Sequence, residues 1–156
     1  MKNTNKQKDF QVRNLIIDDS NSFINLMNKF YEYSGGKQET EQSIMPLFEK
    51  ALNPTANLHF LVAVQDSNLI GMISLTFAES SYKVSPFAYG DDFYVVDEKR
   101  GAGVGNALIE GAKKEAIKHN CSNILVGVGN DESDAISFYK KNKFFDMECK
   151  LMTLPL

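Results

Sequence analysis

The sequence predicts a single α/β domain, one mixed sheet with helices on its faces, and three observations lead there. The apolar pattern switches between period two and the helical period in the order strand, two helices, three strands, helix, strand, helix, strand. The chain has 156 residues, 43% of them hydrophobic, which suits one full-sized core rather than two small ones. From Phe144 onward, Phe145, Met147, Cys149 and Leu151 alternate with Asp146, Glu148 and Lys150, the pattern of a strand with one wet face.

Residues 1–9 read as a flexible polar tail, and Phe10 to Ile16 as the first strand. Asp18 or Asp19 is placed to cap a helix whose Phe23, Leu26, Met27 and Phe30 fall on one side; Ser34-Gly35-Gly36 ends it. A second helix carries Ile44, Leu47, Phe48 and Ala51, and Pro46 inside it implies a kink or a late start. After Asn53-Pro54-Thr55, His59 to Val64 and Leu69 to Phe77 form a hairpin about Asp66-Ser67-Asn68, with Gly71 marking a bulge. Pro86 separates that hairpin from a strand over Tyr89 to Val96. Val104 to about Asn120 is a helix with Val104, Ala107, Leu108, Gly111, Ala112 and Ala116 inward and a Glu110–Lys114 pair outward. A strand over Ile124 to Val128, a helix from about Ser133 to Asn142 and the strand from Phe144 complete the chain, as one domain over 1–156.

Composition narrows the function. With 24% charged residues and a formal net charge of −3, no broad basic field exists for nucleic acid or an anionic membrane. No run of about 18 apolar residues appears, and the opening lacks the apolar core of a secretory signal, so a cytoplasmic protein is expected. Cys121 and Cys149 make no CxxC pair, and His59 and His119 stand at a strand start and a helix end without a metal-spaced partner, so no metal is expected.

The chemistry concentrates in DDFYVVDEKRGAGVGNALIEG, residues 91–111, where an apolar strand runs through Gly101, Gly103 and Gly105 into a helix. The first N–H groups of a helix lack internal partners, and with the aligned peptide dipoles they attract anions. Bare glycines let those of residues 101–106 surround a diphosphate; equally, glycine serves a tight strand-to-helix turn. A Rossmann fingerprint fails, finding Asn106 or Leu108 where its third glycine belongs, and a P-loop would need Gly-Lys where Asn106-Ala107 stand.

Arg100-x-x-Gly103-x-Gly105 directly after an apolar strand resembles the acetyl-CoA loop of the GNAT superfamily of N-acetyltransferases, and Ala135-Ile136-Ser137-Phe138-Tyr139 matches that family's Ala-x-x-apolar-Tyr. The resemblance runs from about His59 to Phe144. It implies a mostly antiparallel sheet of about six to seven strands with about four helices, splayed between the fourth and fifth strands, here Phe93 to Val96 and Ile124 to Val128. Acetyl-CoA is the implied cosubstrate. Its diphosphate would sit on Gly101, Gly103, Val104, Gly105 and Asn106, with Arg100 on the phosphates. Its arm would run past Phe93, Val95 and Val96, the Val95 backbone polarising the thioester carbonyl. Ala135 would admit the cofactor, and Tyr139 would approach its sulfur. Where the family often has asparagine this chain has Glu132, and Asn130, two places earlier, is the candidate for that contact.

The implied reaction is direct attack of a primary amine on the thioester. Asp91 and Asp92 stand in the central strand, one of them a candidate base; structurally, paired aspartates also punctuate a strand or cap a bulge. Tyr31, Tyr33, Glu79, Tyr82 and Tyr89 are candidates to line the acceptor cleft, and acids with tyrosines suit a cationic small molecule, an aminoglycoside or a peptide amine. A homodimer through the final strand is a further expectation. The competing reading is a CoA-binding regulatory or sensor module, which needs the glycines but neither Tyr139 nor an acid.

Overall fold

The sheet grows outward from a hairpin. Strands β2 (Leu58–Gln65) and β3 (Asn68–Ser80) are joined by Asp66 and Ser67. These residues take φ of 49° and 63°, the left-handed pair of a two-residue turn that matches strand twist. β1 (Gln11–Asn14) adds antiparallel to β2, β4 (Ser85–Val95) antiparallel to β3, and β5 (Ile124–Val126) parallel to β4. The computed structural model describes residues 9–129, 131–149 and 151–155, and the order across the sheet is β1-β2-β3-β4-β5.

β2 and β3 are buried almost continuously because helices cover both faces. Neighbouring residues of β2 point opposite ways. Phe60 meets Phe23 of α1 (Ser20–Tyr33) edge to face at 5.1 Å, and Phe23 meets Phe48 of α2 (Glu41–Leu52) at 5.4 Å. Leu61 points at Gly111 of α3 (Val104–Lys118), where a Cβ would stand 3.3 Å from it and 3.0 Å from Val12. α4 (Ser133–Lys141) follows β5.

Several expectations are corrected. Among the described residues the sheet has five strands rather than six or seven. Among the described residues from Phe144 onward no strand forms: Cys149 N–H turns back to the Met147 carbonyl, and Phe145, Met147 and Leu151 are exposed. The strand surface expected to carry a dimer is therefore not present there. β5 stops at Val126 rather than Val128, and at the next residue, Gly127, the Tyr89 hydroxyl lies 2.9 Å from where a Cβ would be. β4 begins at Ser85 and includes Pro86, whose carbonyl accepts from Ser122 N–H.

Asp19 stands at the N-cap position of α1, but its carboxylate makes no capping bond to the helix; it takes both Arg13 Nη groups at 2.6 and 2.8 Å and Ile16 N–H at 2.9 Å. α2 starts at Glu41 behind a Thr40 cap and continues through Pro46, so its start is not delayed. Glu110 pairs with Lys113, not Lys114, at 2.6 Å.

Two irregularities shape the site. Ala63 faces Gly71 while Val64 faces Leu69, which makes Ile70 an extra residue beside the glycine that marked the bulge. Ile73 faces Phe93 while Leu75 faces Gly90, so Asp91 and Asp92 together oppose Ser74.

Candidate active site

β4 and β5 part company halfway. They pair only at Ala88–Ile124, Tyr89–Leu125 and Gly90–Val126, and β4 runs on to Val95 with no strand on that edge among the described residues. On the other edge Val96 N–H bonds the Ile70 carbonyl at 3.1 Å. The hydrogen-bonded pairs of that ladder are thus 70/96 and 72/94, and Phe93 and Val95 aim their N–H groups into the seam.

At the end of the seam Gly101 (φ 77°) and Gly103 (φ 85°) turn the chain into α3. A Cβ on either would meet nothing within 4 Å, so these positions require the left-handed backbone. Gly105 differs: a Cβ there would sit 3.2 Å from the Phe138 ring and 3.3 Å from Phe93, so its bareness admits α4. Ala107 N–H is the first to bond back, to the Gly103 carbonyl, and among the described residues no side chain caps α3. The N–H groups of Val104, Gly105 and Asn106 face outward with no acid in the first turn. Val104 itself is core, and the Asn106 side chain accepts from Asn142 Nδ2 at 3.1 Å.

Arg100, expected on the phosphates, folds back. Its Nε donates to the Val95 carbonyl at 3.1 Å, its Nη2 pairs with Asp97 at 2.7 Å, and its guanidinium lies 4.5 Å over the Tyr33 ring, with Tyr94 at 5.8 Å. In this arrangement Arg100 and the exposed Tyr33 brace the end of β4 against α1.

At the bulge Asp91 is exposed and Asp92 half-buried. Asp92 N–H donates to Ser74 Oγ at 2.9 Å, and that hydroxyl lies 3.4 Å from Asp92 Oδ2. Burial first, and the charge of Asp91 second, push the Asp92 carboxyl above the ordinary value against the opposing pull of Ser74. The Tyr31 phenol is raised by burial, then by the charges of Asp92 and Glu39, so α1 presents Tyr31 between Asp92 of β4 and Glu39 of the segment that follows the helix.

On the α4 side Tyr139 is packed by Phe93, Phe138 and Phe144 at centroid distances of 6.1, 5.5 and 5.2 Å. Burial, then the charge of Glu132, pushes its phenol up to about 12, so at neutral pH it is a proton donor. Ala135 lies one turn earlier on the same helix face. Glu132 Oε2 accepts from Gly129 N–H at 2.8 Å, while Asn130 lies outside the described residues.

Not every candidate comes together. The Tyr89 hydroxyl wedges the point where β4 and β5 separate. Glu79 sits five positions past Ser74 on β3, about 16 Å along the strand, and its charge acts on Cys121. Tyr82, 93% exposed, stands in the turn beyond it. Ser74 and Glu39 are the residues that sequence reasoning missed.

A family model for the acetyltransferase (GNAT) family matches residues 21–144, most of the chain. The chain belongs to the GNAT acetyltransferase family. Solved structures agree on the fold of this GNAT domain. A probable acetyltransferase superposes with a TM-score of 0.83 at 24% identity, covering 94% of this chain and 97% of that one. An aminoglycoside acetyltransferase from an uncultured soil metagenomic sample, in complex with trehalose, gives 0.80 at 21%, covering 94% and 95%. A ribosomal-protein-alanine N-acetyltransferase from Brucella melitensis biovar Abortus 2308 gives 0.76 at 17%, covering 94% and 99%. The chain is thus an acyltransferase of a family that uses acetyl-CoA as its cosubstrate. Among its described residues no helix is long and apolar enough to cross a membrane.

Proposed function

We propose that this GNAT acetyltransferase moves the acetyl group of acetyl-CoA directly onto a primary amine of a cationic small molecule or peptide. The observation that carries the reading is the half-strand Asp92–Val95. A desolvated carboxyl begins it, outward N–H groups continue it, the Tyr139 ring rests against its Phe93, and the uncapped start of α3 lies beyond its end.

Each group has a task. The N–H groups of Gly101 and of residues 103–106 hold the diphosphate, Ala102 N–H being turned back to the Lys99 carbonyl, and Ala135 leaves room beside it. Val95 N–H donates to the thioester oxygen as it becomes an oxyanion. An alkylamine with a pKa of about 10.4 is neutral in roughly one molecule in a few thousand at pH 7, so a proton must leave before attack. Asp92, directly or through a water, receives it. The amine nitrogen then bonds to the carbonyl carbon, the carbon–sulfur bond breaks, Tyr139 protonates the departing thiolate, and the second proton of the nitrogen leaves to the Tyr139 phenolate through water, which gives the neutral amide and restores the phenol. Asp91, Glu39 and Tyr31 give the acceptor side negative charge and a ring face, which suits an ammonium group held nearby.

The test is thiol release from acetyl-CoA across polyamines, aminoglycosides and peptides with free amino termini, for wild type and Asp92→Asn. Amine-dependent release that drops about 10²–10⁴-fold in the variant is expected. Binding of acetyl-CoA without release for any amine would leave a sensor module instead.

A further inference from the structure

Far from the seam, three side chains converge where β2 begins and α3 ends. Glu115 and His119 lie one turn apart on α3, and His59 reaches them from β2. One ligand atom from each falls within 4.8 Å of the other two, and Glu115 Oε1 stands 3.7 Å from both His59 Nδ1 and His119 Nε2. We propose that His59, Glu115 and His119 bind one divalent transition-metal ion, with zinc the occupant the donors suit best.

Geometry, burial and chemistry all favour this. Zinc bonds of about 2.0–2.2 Å in a tetrahedron separate neighbouring donors by roughly 3.3–3.6 Å; the two glutamate–histidine distances of 3.7 Å already lie close to that, and the two imidazoles, whose ligand atoms fall within 4.8 Å of each other, close the rest by side-chain rotation. Two imidazoles and a carboxylate with a fourth position open to water form a borderline N/O set, suited to zinc and poor for the oxygen-seeking Mg²⁺ and Ca²⁺.

Glu115 is only 6% exposed within the apolar stripe of α3, where a carboxylate is costly without compensation. Its Oε2 takes Lys118 at 2.8 Å, which leaves Oε1 for the imidazoles. His59 Nε2 is buried with no hydrogen-bond partner among the described residues, and a half-turn of the ring exchanges which nitrogen faces Glu115. Both rings are already held. His119 stacks on Phe77 at 3.9 Å and 12°, and His59 stands edge-on to Phe77 at 5.0 Å and to His119 at 4.9 Å.

α3 is about 22 Å long at 1.5 Å per residue, so the ion would sit that far from the glycine turn. Its role would be to tie the start of β2 to the last turn of α3. The sequence hid this trio because the residue linking the two histidines is a glutamate inside a helix, not a third histidine or cysteine.

The experiment uses untagged full-length protein stripped with chelator and titrated with ZnCl2 alone, followed by calorimetry and thermal melting. One ion per chain and an upward Tm shift are expected. His119→Gln, at a ring 37% exposed, should weaken zinc by more than roughly a hundredfold while leaving the metal-free Tm nearly unchanged. Cobalt substitution of the wild type supplies a readout that does not depend on any variant folding: an intense visible spectrum of a tetrahedral ion without thiolate charge transfer. Cys121→Ser should bind as wild type does, although that thiol lies 3.9 Å from the His119 carbonyl. No saturable binding, zinc binding that survives His119→Gln, a weak octahedral cobalt spectrum, or loss of binding in Cys121→Ser would each overturn the assignment.

Discussion

Burial pushes the Asp92 carboxyl and the Tyr139 phenol in the same direction, yet it prepares them for opposite tasks. A carboxyl raised by desolvation holds a proton more tightly and accepts one from an ammonium more readily; a phenol raised to about 12 stays protonated throughout the working range. The stability consequence has a definite sign. With the folded pKa above the unfolded one, the contribution of Asp92 is fully present below the ordinary aspartate value and is lost as pH rises through the folded pKa. Asp92→Asn should therefore unfold at a higher temperature than wild type at neutral pH, and the advantage should vanish below about pH 4. Lower stability of the variant at neutral pH would show that Asp92 is not desolvated. Tyr139→Phe should lower kcat by about 10²-fold, the small end of acid catalysis, because a thiol of pKa near 8.5 already leaves tolerably. Unchanged steady-state turnover would remove Tyr139 from the reaction.

The glycines of the α3 turn act on two different elements. Gly103→Ala forces an L residue to φ 85° with no clash to relieve, so it should cost about 1–2 kcal/mol in urea unfolding whatever stands on α4. Gly105→Ala should instead couple to Phe138. Shortening that ring to leucine should recover part of the loss, with an interaction energy of about 0.5–3 kcal/mol in a double-mutant cycle. Additive single effects would show that the ring does not set the glycine. Spacing alone made the trio legible as a turn, but it did not separate a backbone requirement from a contact 33 positions away. The hairpin was legible for the same local reason, since Asp66-Ser67-Asn68 interrupts two apolar runs. The strand from Phe144 was misread because alternation states which side a strand would wet, not whether a neighbour exists to pair with it. Ser74 and Glu39 left no local signal: one meets Asp92 across a bulge, the other approaches Tyr31 through a loop.

Across the whole molecule, the Arg13–Asp19 pair ties β1 to the start of α1. Burial alone would raise the Asp19 carboxyl, but the Arg13 guanidinium and Ile16 N–H outweigh it and hold the group below its ordinary value. That contribution to stability is present above the unfolded pKa, so it begins to fail below about pH 4 as protons arrive. Asp19→Asn should lose about 1–3 kcal/mol at pH 7 by urea unfolding, and its deficit should narrow as the solution is acidified through that window. A deficit constant down to pH 2 would place the effect in packing rather than charge. The half-paired β4 has a different consequence. A bare strand edge ordinarily recruits any extended chain that drifts past, and this is how sheet proteins clump. Here the Phe138 and Tyr139 rings of α4 stand 5.2 and 6.1 Å from the Phe93 ring, so any chain drawn to that edge must lie alongside aromatic side chains rather than open solvent.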